Sequence, residues 1–177
     1  LWQEIRLDLE QDHLAQALYN RGQFDRAIEI RQKIALRDPR LGENHYYLAM
    51  NYAQKAMFKE FASEMGEAFA LYGYPELAAR LRHAYDQSGG QGTLREWIKE
   101  LEHAAVNKET YLPGNLAELY AAIGDRDRAF YWLEEYRQHR DQATAETTCC
   151  FKTNPWFAPL RSDPRFGQFL RSVGLSP

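Results

Sequence analysis

Leu14-Ala15, Leu48-Ala49 and Leu116-Ala117 repeat one dipeptide in one register, with 34 residues from the first to the second and twice that to the third. Gly22, Ala56, Gly90 and Gly124 keep the same interval, and Asp25-Arg26-Ala27 returns as Asp127-Arg128-Ala129 three periods later. A chain that repeats at this interval is constrained to fold as a stack of like units, because each unit alone cannot cover its own apolar face.

The residues inside each period read as pairs of helices. Over 1–20, Trp2, Ile5 and Leu9, then Leu14, Ala17 and Leu18, recur at helical spacing with no Gly or Pro among them. Gly22 can take the left-handed conformation that closes such a helix. Asp25 opens a second helix carrying Ile28, Ile30, Ile34 and Leu36, and Asp38-Pro39 stops it, since proline disfavours helical geometry in the residue before it. The stretches ENHYYLAMNYAQKAMF and KEFASEMGEAFALYGY form the next pair. Pro75 suits the first turn of the helix that follows. SGGQG, residues 88–92, predicts a flexible turn longer than the repeat needs, after which Thr93 and Glu96 are placed as a capping box for the helix with Trp97, Ile98 and Leu101. Beyond residue 142 the pattern ends. Asn154-Pro155, Pro159 and Asp163-Pro164 predict an irregular segment leading to a last helix, capped by Asp163, with Phe166, Phe169, Leu170 and Val173 on one stripe.

A helix-turn-helix unit of 34 residues, with small residues where its helices touch and a proline near its end, resembles the tetratricopeptide repeat. The resemblance implies an all-α, right-handed superhelical array in units of about 8–41, 42–75, 75–109 and 110–142. Residues 143–177 supply an irregular segment and a capping helix of the same domain. The first unit has Gln11 where the family usually has tryptophan, and the second has Phe61 where a small residue is expected, which should push its helices apart. The third slips: Tyr85 lies 33 residues after Tyr52 and 35 before Tyr120. The tail NPWFAPLRSDPRFGQFLRSVGL, with LAELYAAIGDRDRAFYWLEEY before it, resembles the C-terminal repeat region of bacterial signalling proteins that carry winged-helix, serine/threonine kinase or adenylate cyclase domains. That likeness implies a regulatory segment of a larger protein. No residue matches a kinase, cyclase or winged-helix signature.

Composition narrows the function further. The 22 basic and 25 acidic residues of the 177 are mixed along the chain, with a net charge of -3, which argues against a nucleic-acid surface. No apolar run is long enough to span a membrane, and LWQEIRLDLEQ lacks the basic and apolar regions of a signal peptide. The first residue is not methionine, so the chain reads as a fragment. Cys149 and Cys150, the only cysteines, exclude a conventional disulfide framework and point to a reducing compartment, the cytoplasm. A periplasmic place would require fusion behind a membrane span.

The residue types that could do chemistry are present without the patterns that chemistry needs. His13, His45, His83, His103 and His139 include no pair four apart on one helix, so no zinc motif arises. GGQG lacks the lysine and preceding strand of a phosphate loop. Neighbouring Cys149 and Cys150 give no tetrahedral set and read as buried packing. Carboxylates such as Glu134 and Glu135 lie among Arg and Lys, as solvated ion pairs do. These readings imply no enzyme, no metal and no cofactor.

In the tetratricopeptide family the first helix of each pair lines the concave side. That places Asp12, Gln16, Tyr19 and Asn20 from the first unit and Tyr46, Met50 and Gln54 from the second in a groove for a protein or peptide partner. His83, Gln87 and Glu118 follow along it. Groove lysine, asparagine and arginine, which grip chaperone C-termini, are replaced by Asp12 and Gln16, so an acidic tail is a poor partner. Two alternatives stand beside this one. A small-molecule sensor would bind near Tyr46, Tyr72, Tyr74 and His83, where the slipped third unit should widen the groove; a self-association module, giving a homodimer, would use the terminal helix around Trp2 and Ile5, or the outer faces.

Overall fold

The computed structural model describes residues 2–106, 112–139 and 151–176, with side chains from residue 10 onward. The described residues are all-helical, without a strand. The elements are α1 Trp2–Asn20, α2 Phe24–Arg37, α3 Gly42–Gln54, α4 Phe58–Leu71, α5 Pro75–Val106, α6 Pro113–Ala122, α7 Arg126–Gln138, a 3₁₀ turn Pro155–Leu160 and α8 Pro164–Ser172. Where the sequence reads as one domain, contacts cluster in two units, Leu1–Thr93 and Leu94–Pro177, so the boundary falls inside α5.

In the first unit α1 packs on α2, α2 on α3, and α3 on α4. The predicted turn register is carried by backbone geometry: Gly22 and Ala56 have φ of +72° and +56°. Ala56 is the one described non-glycine residue in the left-handed region. Period-related positions are buried alike, as Ala15 and Ala49 are, or Ala27 and Phe61. Phe61 is fully enclosed and α3 and α4 still pack directly, so its bulk does not part them. Leu14 departs from its equivalents: it is 49% exposed, whereas Leu48 is 2% and Leu116 1%.

The SGGQG turn is present but shorter than expected, a kink that joins two helices within α5. Only Ser88 and Gly89 leave helical geometry, with φ of -145° and +60°, and the helix resumes at once. In the third unit the left-handed turn residue is therefore Gly89, one before the position the period selects. Gly90 and Gly92 serve close approach instead. A Cβ on Gly90 would lie 2.2 Å from the Phe58 ring, and one on Gly92 would lie 2.3 Å from the Ala84 carbonyl oxygen. Thr93 turns its hydroxyl toward the helix before the kink. It is buried within α5, and its hydroxyl donates to the Leu81 carbonyl at 3.4 Å.

In the second unit α6 pairs with α7, the 3₁₀ turn lies against α6, and α8 lies against α7. Gly124, at φ +84°, turns the hairpin, and Asp125 caps α7 by accepting from the Arg128 N–H. Asn154 caps the 3₁₀ turn and Asp163 caps α8. Phe166, Phe169, Leu170 and Val173 are buried as their stripe predicts. They join a cluster of rings in which Phe151 lies 4.8 Å from Tyr136, 5.0 Å from Phe169 and 5.4 Å from Phe157, edge-on or tilted. Cys149 and Cys150 lie outside the described residues.

Candidate functional site

On α1 the polar stripe Asp12, Gln16 and Asn20 follows a four-residue spacing, and each member is partly exposed. Gln16 Nε2 donates to Asn20 Oδ1 at 3.4 Å. Asp12 accepts at 2.8 Å from Nη1 of Arg31, a fully buried side chain on α2. The same Nη1 donates to Asn44 Oδ1 of α3 at 3.3 Å, so Arg31 ties α1 to α3. Asn44 Nδ2 returns a bond to the Arg31 carbonyl at 2.9 Å, and the guanidinium carbon sits 4.6 Å from the Tyr47 ring centroid. Arg31 Nε and Nη2 are buried without a hydrogen-bond partner.

Two residues assigned to the groove are core. Tyr19 is buried, its ring 5.7 Å from that of Phe24, where it fills the α1–α2 turn. Met50 is buried along α3 between the partly exposed Tyr46 and Gln54. The four-residue spacing is right for one helix face, but it does not say how far a neighbouring helix covers that face. His83 and Gln87 are exposed on the first half of α5. Glu118 belongs to the second unit, where its Oε1 accepts from Asn154 Nδ2 at 2.8 Å. The protein's own C-terminal segment thus occupies the Glu118 position, and burial pushes that carboxyl up to about 8. The structure therefore groups Asp12, Gln16, Asn20, Tyr46 and Gln54 within the first unit. Tyr72 and Tyr74 stand exposed just past the end of α4.

His45 is structural. Its Nδ1 faces Glu64 Oε2 at 2.6 Å and its Nε2 faces the Pro39 carbonyl at 3.0 Å. Both partners only accept, so the geometry suits an imidazolium donating from both nitrogens. Partial burial works against that charge, but the Glu64 and Pro39 bonds outweigh it and the pKa is raised. Among the described residues no three His, Cys, Asp or Glu side chains converge on a metal position.

No family model, curated protein or solved structure matches this chain.

Sequence reasoning passed over one feature of the second unit. The buried Tyr120 hydroxyl donates to Glu102 Oε1 at 2.5 Å and accepts from Arg128 Nη1 at 2.8 Å. Its equivalent two periods earlier, Tyr52, is met instead by the neutral Gln32 amide at 3.0 Å. A charged arrangement thus replaces a neutral one at a common position. The signal was legible in the period, because Phe24 and Phe58 begin α2 and α4 while Arg126 begins α7 in the same register.

Proposed function

We propose that the chain is a tetratricopeptide-like array serving as a protein-interaction and regulatory module of a larger bacterial signalling or transcription-regulating protein. An extended peptide or partner domain lies along α1 and α3, recognised by Asp12, Gln16, Asn20, Tyr46 and Gln54. The observation that carries this reading is the recurrence of left-handed turns at Gly22, Ala56 and Gly124 in one 34-residue register, which supports a repeat surface rather than a single reaction centre. The amides of Gln16, Asn20 and Gln54 offer donors and acceptors to a peptide backbone, and Tyr46 offers adaptable contact area. Recognition needs no covalent step.

A photo-crosslinking amino acid placed at Gln16, at Tyr46, and at Lys33 on the exposed side of α2 tests the assignment in lysate of the organism that carries the sequence. One common adduct from Gln16 and Tyr46, absent from Lys33 and lost in a folded Asp12→Ala, Gln54→Ala variant, supports it. Equal labelling from Lys33, or no adduct from either groove position, removes it.

A further inference from the structure

A cleft of about 800 Å³ opens in the second unit where residues 95–102 of α5 face the α6–α7 turn. That is the size of a site for a small organic ligand. Ile98 and Ile123 give it apolar surface, beside the Tyr120 hydroxyl. Three carboxylates line it, and each is engaged. Glu102 accepts from Tyr120, Asp125 caps α7, and Asp127 pairs at 2.9 Å with Arg165. Four cations line it as well. Lys99 is paired with Glu96, and Arg128 is held by Tyr120. Arg95 and Arg126 are exposed, and neither side chain makes a hydrogen bond or ion pair among the described residues. Arg126 acts through space on the Asp163 carboxylate, and the four cations of the lining exceed its three carboxylates by one positive charge.

The period explains how the cleft arises. Phe24, at the start of α2, lays its ring against Tyr19, and Phe58, at the start of α4, lies over Gly90. Arg126 holds the same place at the start of α7, so a ring that packs becomes a guanidinium that does not. A guanidinium binds carboxylate and phosphate oxygens through paired N–H donors, and such charge-assisted bonds are the strong ones.

We propose that this cleft binds a small organic polyanion bearing phosphate or carboxylate groups, with Arg95 and Arg126 taking the anion and Ile98 and Ile123 meeting the apolar part. The site is separate from the α1–α3 surface and does not depend on it.

Calorimetric titration of the full chain with phenyl phosphate, pyrophosphate and citrate at fixed ionic strength tests this, and the three probes separate phosphate from carboxylate preference. Binding of at least one probe with a Kd below about 10 mM is expected. An Arg95→Ala, Arg126→Ala variant should bind that probe at least about ten-fold more weakly, as the loss of charge-assisted bonds requires. Both side chains are exposed, so the variant should keep its circular dichroism, and Lys33→Ala should bind as the original does. No binding by any probe in that range, a smaller loss in the double variant, or an equal loss in Lys33→Ala overturns the proposal.

Discussion

Arg31 occupies the place in the register that Met65 and Leu133 fill with apolar side chains, and all three are buried. Burying a guanidinium with only one of its nitrogens bonded is costly, and its partner Asp12 keeps 40% of its side chain exposed. Arg31→Met should therefore leave urea stability unchanged or raise it by about 1 kcal/mol, while Arg31→Ala should lower it by about 3 kcal/mol through the void it leaves. Two titrating groups give stability a pH dependence of one sign. The bonds that raise the His45 pKa stabilise the fold below the ordinary histidine value of 6.5, and this contribution is lost as pH rises through the raised native value. Glu118, pushed up to about 8 from 4.5, keeps in the native state a proton that the unfolded chain releases, so stability also falls as pH rises across that window. Glu118→Gln keeps the oxygen that Asn154 bonds, and should flatten the decline between those values in denaturation curves taken at several pH values. His45→Gln should remove the component near neutrality.

At the scale of the element, turns and close crossings decide what a substitution costs. Ala56 sits in left-handed geometry that a side chain disfavours by about 1–2 kcal/mol, so Ala56→Gly should raise the urea midpoint by an amount within that range. Gly90→Ala should lower stability by about 1–3 kcal/mol because its methyl meets Phe58, and Phe58→Leu should recover part of the loss. Gly92→Ala should be worse, since a backbone carbonyl cannot step aside as a ring can. The helix pairs were legible because Gly22, Ala56 and Gly124 each meet a geometric requirement, and the α8 stripe because Asp163 and Pro164 fix where it begins. The third pair was legible as two helices broken near residue 89, but the length of its turn was not. Five small and polar residues at 88–92 look like a loop, yet two of the three glycines are there so that atoms can come close, a need that only the partners Phe58 and Ala84 reveal.

At the scale of the whole molecule, spacing alone separated most core positions from most surface ones, but it could not weigh one hairpin against the next. It put Tyr19 and Met50 in a groove because they share a face with exposed residues; Phe24 and the packing around α3 bury them. It missed the cleft of the second unit because a pattern-matching eye looks for what recurs, and the cleft begins where Arg126 breaks the recurrence. The described residues include no helix long and apolar enough to cross a membrane, as the sequence implied. Arg31 carries the same point further. Its hydrogen bonds require Asp12 on the helix before it and Asn44 on the helix after it, and its guanidinium rests on Tyr47. Were residues 8–41 duplicated, or transplanted behind 42–75, the buried cation would meet a neighbour keyed for methionine or leucine. The hairpins share a register without being interchangeable, so the order of the first two is written into the interior they share, and moving either as a modular part would need that lock rebuilt.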